Sequence, residues 1–189
     1  RLRLTYARLL VAEDRLDEAK GEFASLLQQN PDDDDLRFSL ALVCLEAKAW
    51  KEAIVYLEEL VERGSHSEAA HYNLARAYEE LGDTASALIE YALVGPGNDY
   101  LPAQARQSEL LFKAQRSEEA AERLRQARES QPDYAIQLYL IETEAWSKQQ
   151  DTERAWQLIQ QGLEQFPEDL NLLYTRAMLE YKAQVTLQQ

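Results

Sequence analysis

This 189-residue chain has one cysteine, one methionine and two histidines. A single thiol, Cys44, forms neither an internal disulfide nor a CxxC pair, so cysteine usage says nothing about redox compartment. His66 and His71 stand five apart, a spacing that does not put both on one helix face, and no HExxH, GxSxG or SxxK motif occurs. The sequence therefore offers no catalytic constellation, metal site or cofactor site. Glycine and proline are scarce, six and five residues, which leaves little loop material and excludes a turn-rich β-sandwich. Positive charge is short as well: 20 Lys and Arg face 34 Asp and Glu, a formal charge of −14. Such a chain repels a phosphate backbone, and no basic stripe is visible in linear sequence, so nucleic acid is not an expected partner. The longest near-apolar run, 38–45 (FSLALVCL), falls far short of the roughly 20 residues a bilayer span needs, which excludes membrane insertion by this segment.

What is present is enough to make a core. The chain is 46% apolar and 29% charged, and a body this size buries roughly 70% of its unfolded surface. The only methionine is Met178, and residues 1–4 (RLRL) already run in helical periodicity, so the chain reads as a piece of a longer polypeptide.

Four segments align with one another: LDEAKGEFASLLQQNP, WKEAIVYLEELVERGS, SEEAAERLRQARESQP and TERAWQLIQQGLEQFP, with TASALIEYALV as a fifth. Their shared alanines are Ala19, Ala53, Ala87, Ala120 and Ala155, at spacings of 34, 34, 33 and 35. Twelve residues before each stands another small side chain: Ala7, Ala41, Ala75, Ser108 and Thr143. Phe23, Leu57, Tyr91, Leu124 and Ile159 follow the alanines by four. Small residues at facing positions let two helix backbones approach closely while larger ones fill the grooves beside the contact. Each repeat is thus expected to be a pair of antiparallel helices. First helices are expected near 2–12, 35–47, 68–81, 102–114, 135–149 and 169–185, second helices near 17–29, 51–63, 84–94, 118–130 and 152–164. Pro31, Pro132 and Pro167 stand where second helices finish, and Asp83, Ser117 and Asp151 are candidate N-caps.

The pattern resembles the tetratricopeptide repeat family, whose consensus runs W-x2-L-G-x2-Y, A-x3-F, P. The third unit comes nearest, with Leu74, Ala75, Tyr78, Gly82, Ala87 and Tyr91. The resemblance implies an all-α fold, an α-solenoid wound as a right-handed superhelix. About five repeats are expected, at 1–33, 34–67, 68–100, 101–135 and 136–168, with an extra C-terminal helix at 169–185, all in one solenoid domain. The segment Gly95-Pro96-Gly97-Asn98-Asp99 breaks the regularity, either as a variant turn between repeats or as a kink or contact loop.

Other features have structural readings. The run Asp32-Asp33-Asp34-Asp35 lacks the spacing, glycine and distal glutamate of an EF-hand and sits where carboxylates cap a helix N-terminus. Cys44 falls between Val43 and Leu45 at an inward position and reads as a buried thiol. Trp50, Trp146 and Trp156 occupy helix-packing phases.

In the family, the first helices line a concave groove where peptides or partner helices bind. By phase, the groove residues here are Phe38, Leu42 and Leu45 in the second unit, Tyr72, Arg76 and Glu79 in the third, Ala105, Glu109 and Phe112 in the fourth, and Leu140, Glu144 and Ser147 in the fifth, and the family's carboxylate clamp adds Asn73 and Arg106. The second unit's stripe is apolar throughout. It either faces the groove as an interaction surface or packs against the first or a missing repeat. A known clamp in the family grips a terminal carboxylate with lysines, arginine and asparagine. Asn73, Arg76 and Arg106 match it in part, but Tyr72, Pro102 and Ala105 replace its lysines. The end helices are expected to expose apolar faces, at the C-terminal end Leu172, Leu173, Tyr174, Met178, Leu179 and Tyr181, and so to favour self-association.

The wording of residues 9–64 is also similar to a group of large proteobacterial tetratricopeptide outer-membrane lipoproteins that act as adaptors for a periplasmic carboxyl-terminal processing protease. That similarity implies a non-catalytic adaptor on the periplasmic side of the outer membrane. Without it a cytoplasmic location is expected. Two other readings stay open: an assembly factor for a pilus or secretion channel, and a regulatory module of a larger enzyme.

Overall fold

The computed structural model describes all 189 residues, and every regular element in it is helical. Eleven α-helices follow one another: α1 (Leu2–Ala12), α2 (Leu16–Gln29), α3 (Asp34–Glu46), α4 (Trp50–Glu62), α5 (Ser67–Glu80), α6 (Thr84–Ala92), α7 (Tyr100–Lys113), α8 (Ser117–Ser130), α9 (Ala135–Lys148), α10 (Thr152–Gln165) and α11 (Leu170–Gln188). A short 3-10 turn at Pro132–Tyr134 precedes α9. Odd-numbered helices are the first members of five helix pairs, and α11 is a further first helix.

The helix starts follow from capping. The Leu36 N–H donates to Asp33, Ser86 N–H to Asp83, Arg154 N–H to Asp151 and Leu172 N–H to Asp169, which satisfies donors that have no partner inside the helix. Ser117 departs from the expectation: it is the first helical residue of α8, and Arg116 takes the capping position without a side-chain bond. The aspartate run caps and anchors. Asp33 caps α3, Asp34 pairs with Arg37 and Arg63, and Asp35 accepts from His66.

The turns inside the pairs share one geometry. Asp14, Lys48, Gly82, Gln115 and Gln150 all have φ between 58° and 79°. In each case the next residue's N–H reaches back to a carbonyl five residues earlier, as in Arg15 to Leu10, Ala49 to Cys44 and Asp151 to Trp146. This left-handed close is a Schellman end, which glycine adopts without strain. Only the third pair, at Gly82, has glycine there.

The small residues do what their spacing requires. Ala7, Ala41, Ala75, Ala19, Ala53, Ala87, Ala120 and Ala155 are fully buried, as are Leu57, Tyr91 and Ile159 beside them. A larger side chain at such a position would overpack the contact, at a cost of about 1–3 kcal/mol.

Contacts divide the chain into two compact units, Arg1–Asp99 and Tyr100–Gln189, where the repeat spacing alone suggests one uninterrupted domain. The division falls at the Gly95–Asp99 segment. There α6 stops after nine residues, Gly97 takes φ 145°, and the Gly95 N–H is held by the Glu68 carboxylate. In the first unit each helix packs on the next, and the core runs from Ala7 and Leu10 through Phe23, Leu40, Leu57 and Leu74. In the second unit α7 packs on α8 and α9, and α9 packs on α10 and α11. Here the first helices α7, α9 and α11 are direct neighbours.

At the chain's end the structure corrects the expected exposed face. Leu172 and Leu179 are buried, Leu172 against Gly162 of α10. Tyr174, Met178 and Tyr181 remain exposed.

Candidate binding groove

The first unit closes most of the stripe that the sequence marks as apolar. Leu45 is buried in the core at 8% exposure, which corrects its assignment to the groove. Phe38 is half-buried and stacks face to face on His66, with ring centroids 4.7 Å apart and planes 10° from parallel. His66 stands at the N-cap of α5 in the left-handed region, at φ 53°. Only Leu42, 39% exposed, stays at the surface. On α5, Asn73 is likewise a correction: it is buried, donates to the Ala69 carbonyl at 2.8 Å and accepts from Arg76. Arg76 lies over the Tyr72 ring, and Tyr72 leans on Tyr91. These side chains are engaged with one another, so the partial clamp of Asn73 and Arg76 is a local packing arrangement.

Cys44 is fully buried, and desolvation pushes its thiol up to about 11, which keeps it protonated and unreactive at neutral pH. His71 faces Glu90 at 2.7 Å, and His66 faces Asp35 at 2.9 Å, so each imidazole has its own carboxylate.

The second unit leaves its first-helix face open. Between α7 and α9 lies a cleft of about 230 Å³, lined by Ala105, Glu109, Phe112, Ile141, Ala145 and Lys148 among others. Between α9 and α11 lies a larger one of about 370 Å³, lined by Leu140, Thr143, Ser147, Lys148, Met178 and Lys182 among others. Glu144 and Lys148 belong to both, so the clefts adjoin along α9. Of the groove candidates on α7, Arg106 and Glu109 are exposed and paired at 2.8 Å. Phe112 corrects in part. It is buried edge-on against Trp146 with centroids 4.9 Å apart, and forms the floor of the smaller cleft rather than a free side chain. Leu140, Glu144 and Ser147 stand in the cleft walls.

Sequence reading missed the contribution of α11. Tyr174, Met178 and Tyr181 follow Leu140, Glu144 and Ser147 by 34 residues, so they stand at groove positions. Extending the phase one repeat further finds them; counting them only as a chain end hides them.

A different arrangement joins α9 to the second helices α8 and α10. Arg128 pairs with the buried Glu142 and lies 4.3 Å over Tyr139, while Trp146 Nε1–H donates to the other Glu142 oxygen. Arg154 lies 4.2 Å over Trp146 and pairs with Glu118. The recess beside these groups, about 250 Å³, has each arginine matched by a carboxylate and is a closed polar network.

Comparison with known proteins agrees with this architecture. Models of the tetratricopeptide repeat match residues 10–64, 44–96 and 106–169. A tetratricopeptide repeat-containing protein of Pseudomonas aeruginosa is 70% identical over 115 residues, which are 61% of this chain and 20% of that protein. The chain therefore spans about a fifth of the length of this relative. Among solved structures, a tetratricopeptide repeat protein from Parabacteroides merdae superposes with a TM-score of 0.64 at 17% identity, covering 95% of this chain and 71% of that one. MamA gives 0.62 at 15% identity, covering 94% and 95%. YrrB, described as a tetratricopeptide protein with an unusual peptide-binding site, gives 0.57 at 16% identity, covering 93% and 90%. At these identities the likeness is one of fold.

Proposed function

This chain belongs to the tetratricopeptide repeat family, and from that membership we propose that it is a non-catalytic interaction scaffold that holds a segment of another protein in the groove of α7, α9 and α11. One observation carries the reading: in the second unit three consecutive first helices pack side by side and leave two adjoining clefts, lined by Leu140, Ile141, Met178 and Leu179 with polar groups at their edges. Concave sites of this kind, with apolar walls and a few convergent polar groups, are where ligands and peptide segments dock. A peptide-binding site in YrrB, a protein of the same fold, supports a peptide or protein segment as the occupant.

The proposal extends to an adaptor role. The similarity of residues 9–64 to lipoprotein adaptors supports a scaffold at the periplasmic side of the outer membrane that recruits a carboxyl-terminal processing protease and its substrates, and the 70% identity to a repeat-containing Pseudomonas aeruginosa protein supports the repeat scaffold alone. The test is capture from a bacterial envelope extract on the immobilised chain, with mass spectrometry of what is retained. The groove reading expects a defined protein that is lost with Met178→Asp and kept with Glu122→Ala on a second helix. Equal capture by both variants overturns the groove. Capture of a channel component in place of a protease overturns the adaptor role in favour of assembly.

A further inference from the structure

The second unit has three lysines, and all three occupy one repeat position. Lys113, Lys148 and Lys182 are spaced 35 and 34 apart, each directly following a groove position: Phe112, Ser147 and Tyr181. The corresponding residues of the first unit are Ala12, Glu46 and Glu80, so the same position changes from neutral and acidic to basic between the units. Residues 1–99 hold ten basic against twenty acidic side chains, and residues 100–189 hold ten against fourteen. The cationic row thus stands out within an acidic chain.

Cations at helix C-termini are favoured by the helix dipole, and that alone accounts for Lys113 and Lys148, the last residues of α7 and α9. It does not account for Lys182, which lies six residues before the end of α11. Nor do the first helices of the first unit have a base in the last turn. What the three lysines share is the repeat position directly after a groove residue; Lys113 lines neither cleft itself but follows Phe112, the floor of the smaller one. Lys148 lines both clefts and Lys182 lines the larger one. Lys113 and Lys182 have no carboxylate within ion-pairing distance, and the one partner of Lys148 is Glu144 at 3.2 Å, where both side chains are about 70% exposed. A pair that exposed is worth little and exchanges readily for another carboxylate.

We propose that Lys113, Lys148 and Lys182 form a cationic row that holds the carboxylates of an acidic segment of a partner protein laid across α7, α9 and α11, with its apolar side chains in the two clefts. The inference rests on the groove reading above and adds the chemistry of the occupant. Packed helices lie about 8–10 Å apart, which is roughly three residues of extended chain. Carboxylates about three residues apart, with an apolar residue between them, therefore match the row and the clefts together. Lysine suits this task as a compact charge on a flexible stem that follows an acidic backbone without demanding one geometry.

The experiment measures fluorescence anisotropy of a labelled twelve-residue peptide, four repeats of Glu-Leu-Ser, against the full chain at about 50 mM and 300 mM salt. Controls are the same peptide with Gln for Glu and a labelled single-stranded oligonucleotide of equal charge. Expected are saturable binding of the Glu peptide, at least tenfold weaker binding of the Gln peptide, and at least tenfold loss on the combined Lys113→Gln, Lys148→Gln and Lys182→Gln substitution with unchanged helical circular dichroism. High salt reproduces most of that loss. The inference is overturned if the Glu peptide does not bind, if both peptides bind alike, or if the oligonucleotide binds as tightly through the same lysines. Met178→Asp separates the two readings: binding lost with Met178→Asp but kept in the lysine variant removes the cationic row and leaves the groove, whereas binding unaffected by either removes both.

Discussion

Arg128 and Glu142 form an ion pair at 2.8 Å with side chains only 11% and 5% exposed, joining α8 to α9. The second Glu142 oxygen accepts from Trp146 Nε1–H at 3.0 Å, so one carboxylate satisfies donors from two helices. Breaking a buried pair on one side leaves the other charge unpaired, which costs far more than the intact pair contributes. Glu142→Ala is expected to destabilise the chain by about 3–5 kcal/mol in urea unfolding, and Glu142→Gln by clearly less because the amide oxygen still accepts. Equal losses for both would show that charge alone carries the contact.

The left-handed turn residues predict gains. Lys48, Gln115 and Gln150 sit at φ 58–62°, where Gly82 stands in the third pair. An L side chain in that region costs about 1–2 kcal/mol, partly offset by the greater chain entropy that glycine loses on folding. Lys48→Gly and Gln150→Gly are each expected to stabilise by roughly 0.5–1 kcal/mol. Thermal unfolding checks this, and a lower melting temperature in both would refute the Schellman assignment.

Phe38 and Leu42 separate by role. Phe38 is packed on His66 and the core, so Phe38→Ser lowers stability by about 2–4 kcal/mol. Leu42, on the surface, tolerates Ser within about 0.5 kcal/mol. Denaturant midpoints of the two single variants decide between them.

Acid weakens the fold through its paired carboxylates. The hydrogen bond from Arg63 holds Asp34 below the ordinary aspartate value of 3.8, Ser86 does the same for Asp83, and Arg154 holds Glu118 below 4.5. A carboxyl with its folded pKa below the unfolded one adds stability at pH above the unfolded value, and that share is lost as pH falls through the folded value. The melting temperature is therefore expected to be level above about pH 5 and to fall below pH 4. The slope should be shallower in the combined Asp34→Asn and Glu118→Gln variant. A variant curve that matches the parent below pH 4 would place the acid sensitivity elsewhere.

Cys44 reports on global opening. With its thiol buried and shifted to about 11, it is expected to resist a disulfide reagent at pH 8 in the folded chain and to react fully in urea. Rapid labelling without denaturant would show that α3 opens locally.

The repeat spacing determined the helices, their pairing and the buried small residues, because a backbone contact tolerates only small side chains and recurs with every pair. Ala7, Ala41 and Ala75 are legible without coordinates for that reason. The caps at Asp83 and Asp151 are legible as well, since capping is local chemistry. Tertiary structure decided which apolar groove positions stay open. Phe38, Leu42 and Leu45 share one phase and one hydrophobicity, yet Leu45 enters the core and Phe38 is covered by His66, a left-handed residue whose conformation no periodicity announces. It also decided that α7, α9 and α11 are neighbours, which turns three lysines far apart in the chain into one row. Repetition writes the spacing of contacts into sequence; the exposure of a given side chain depends on what its neighbours' turns place over it.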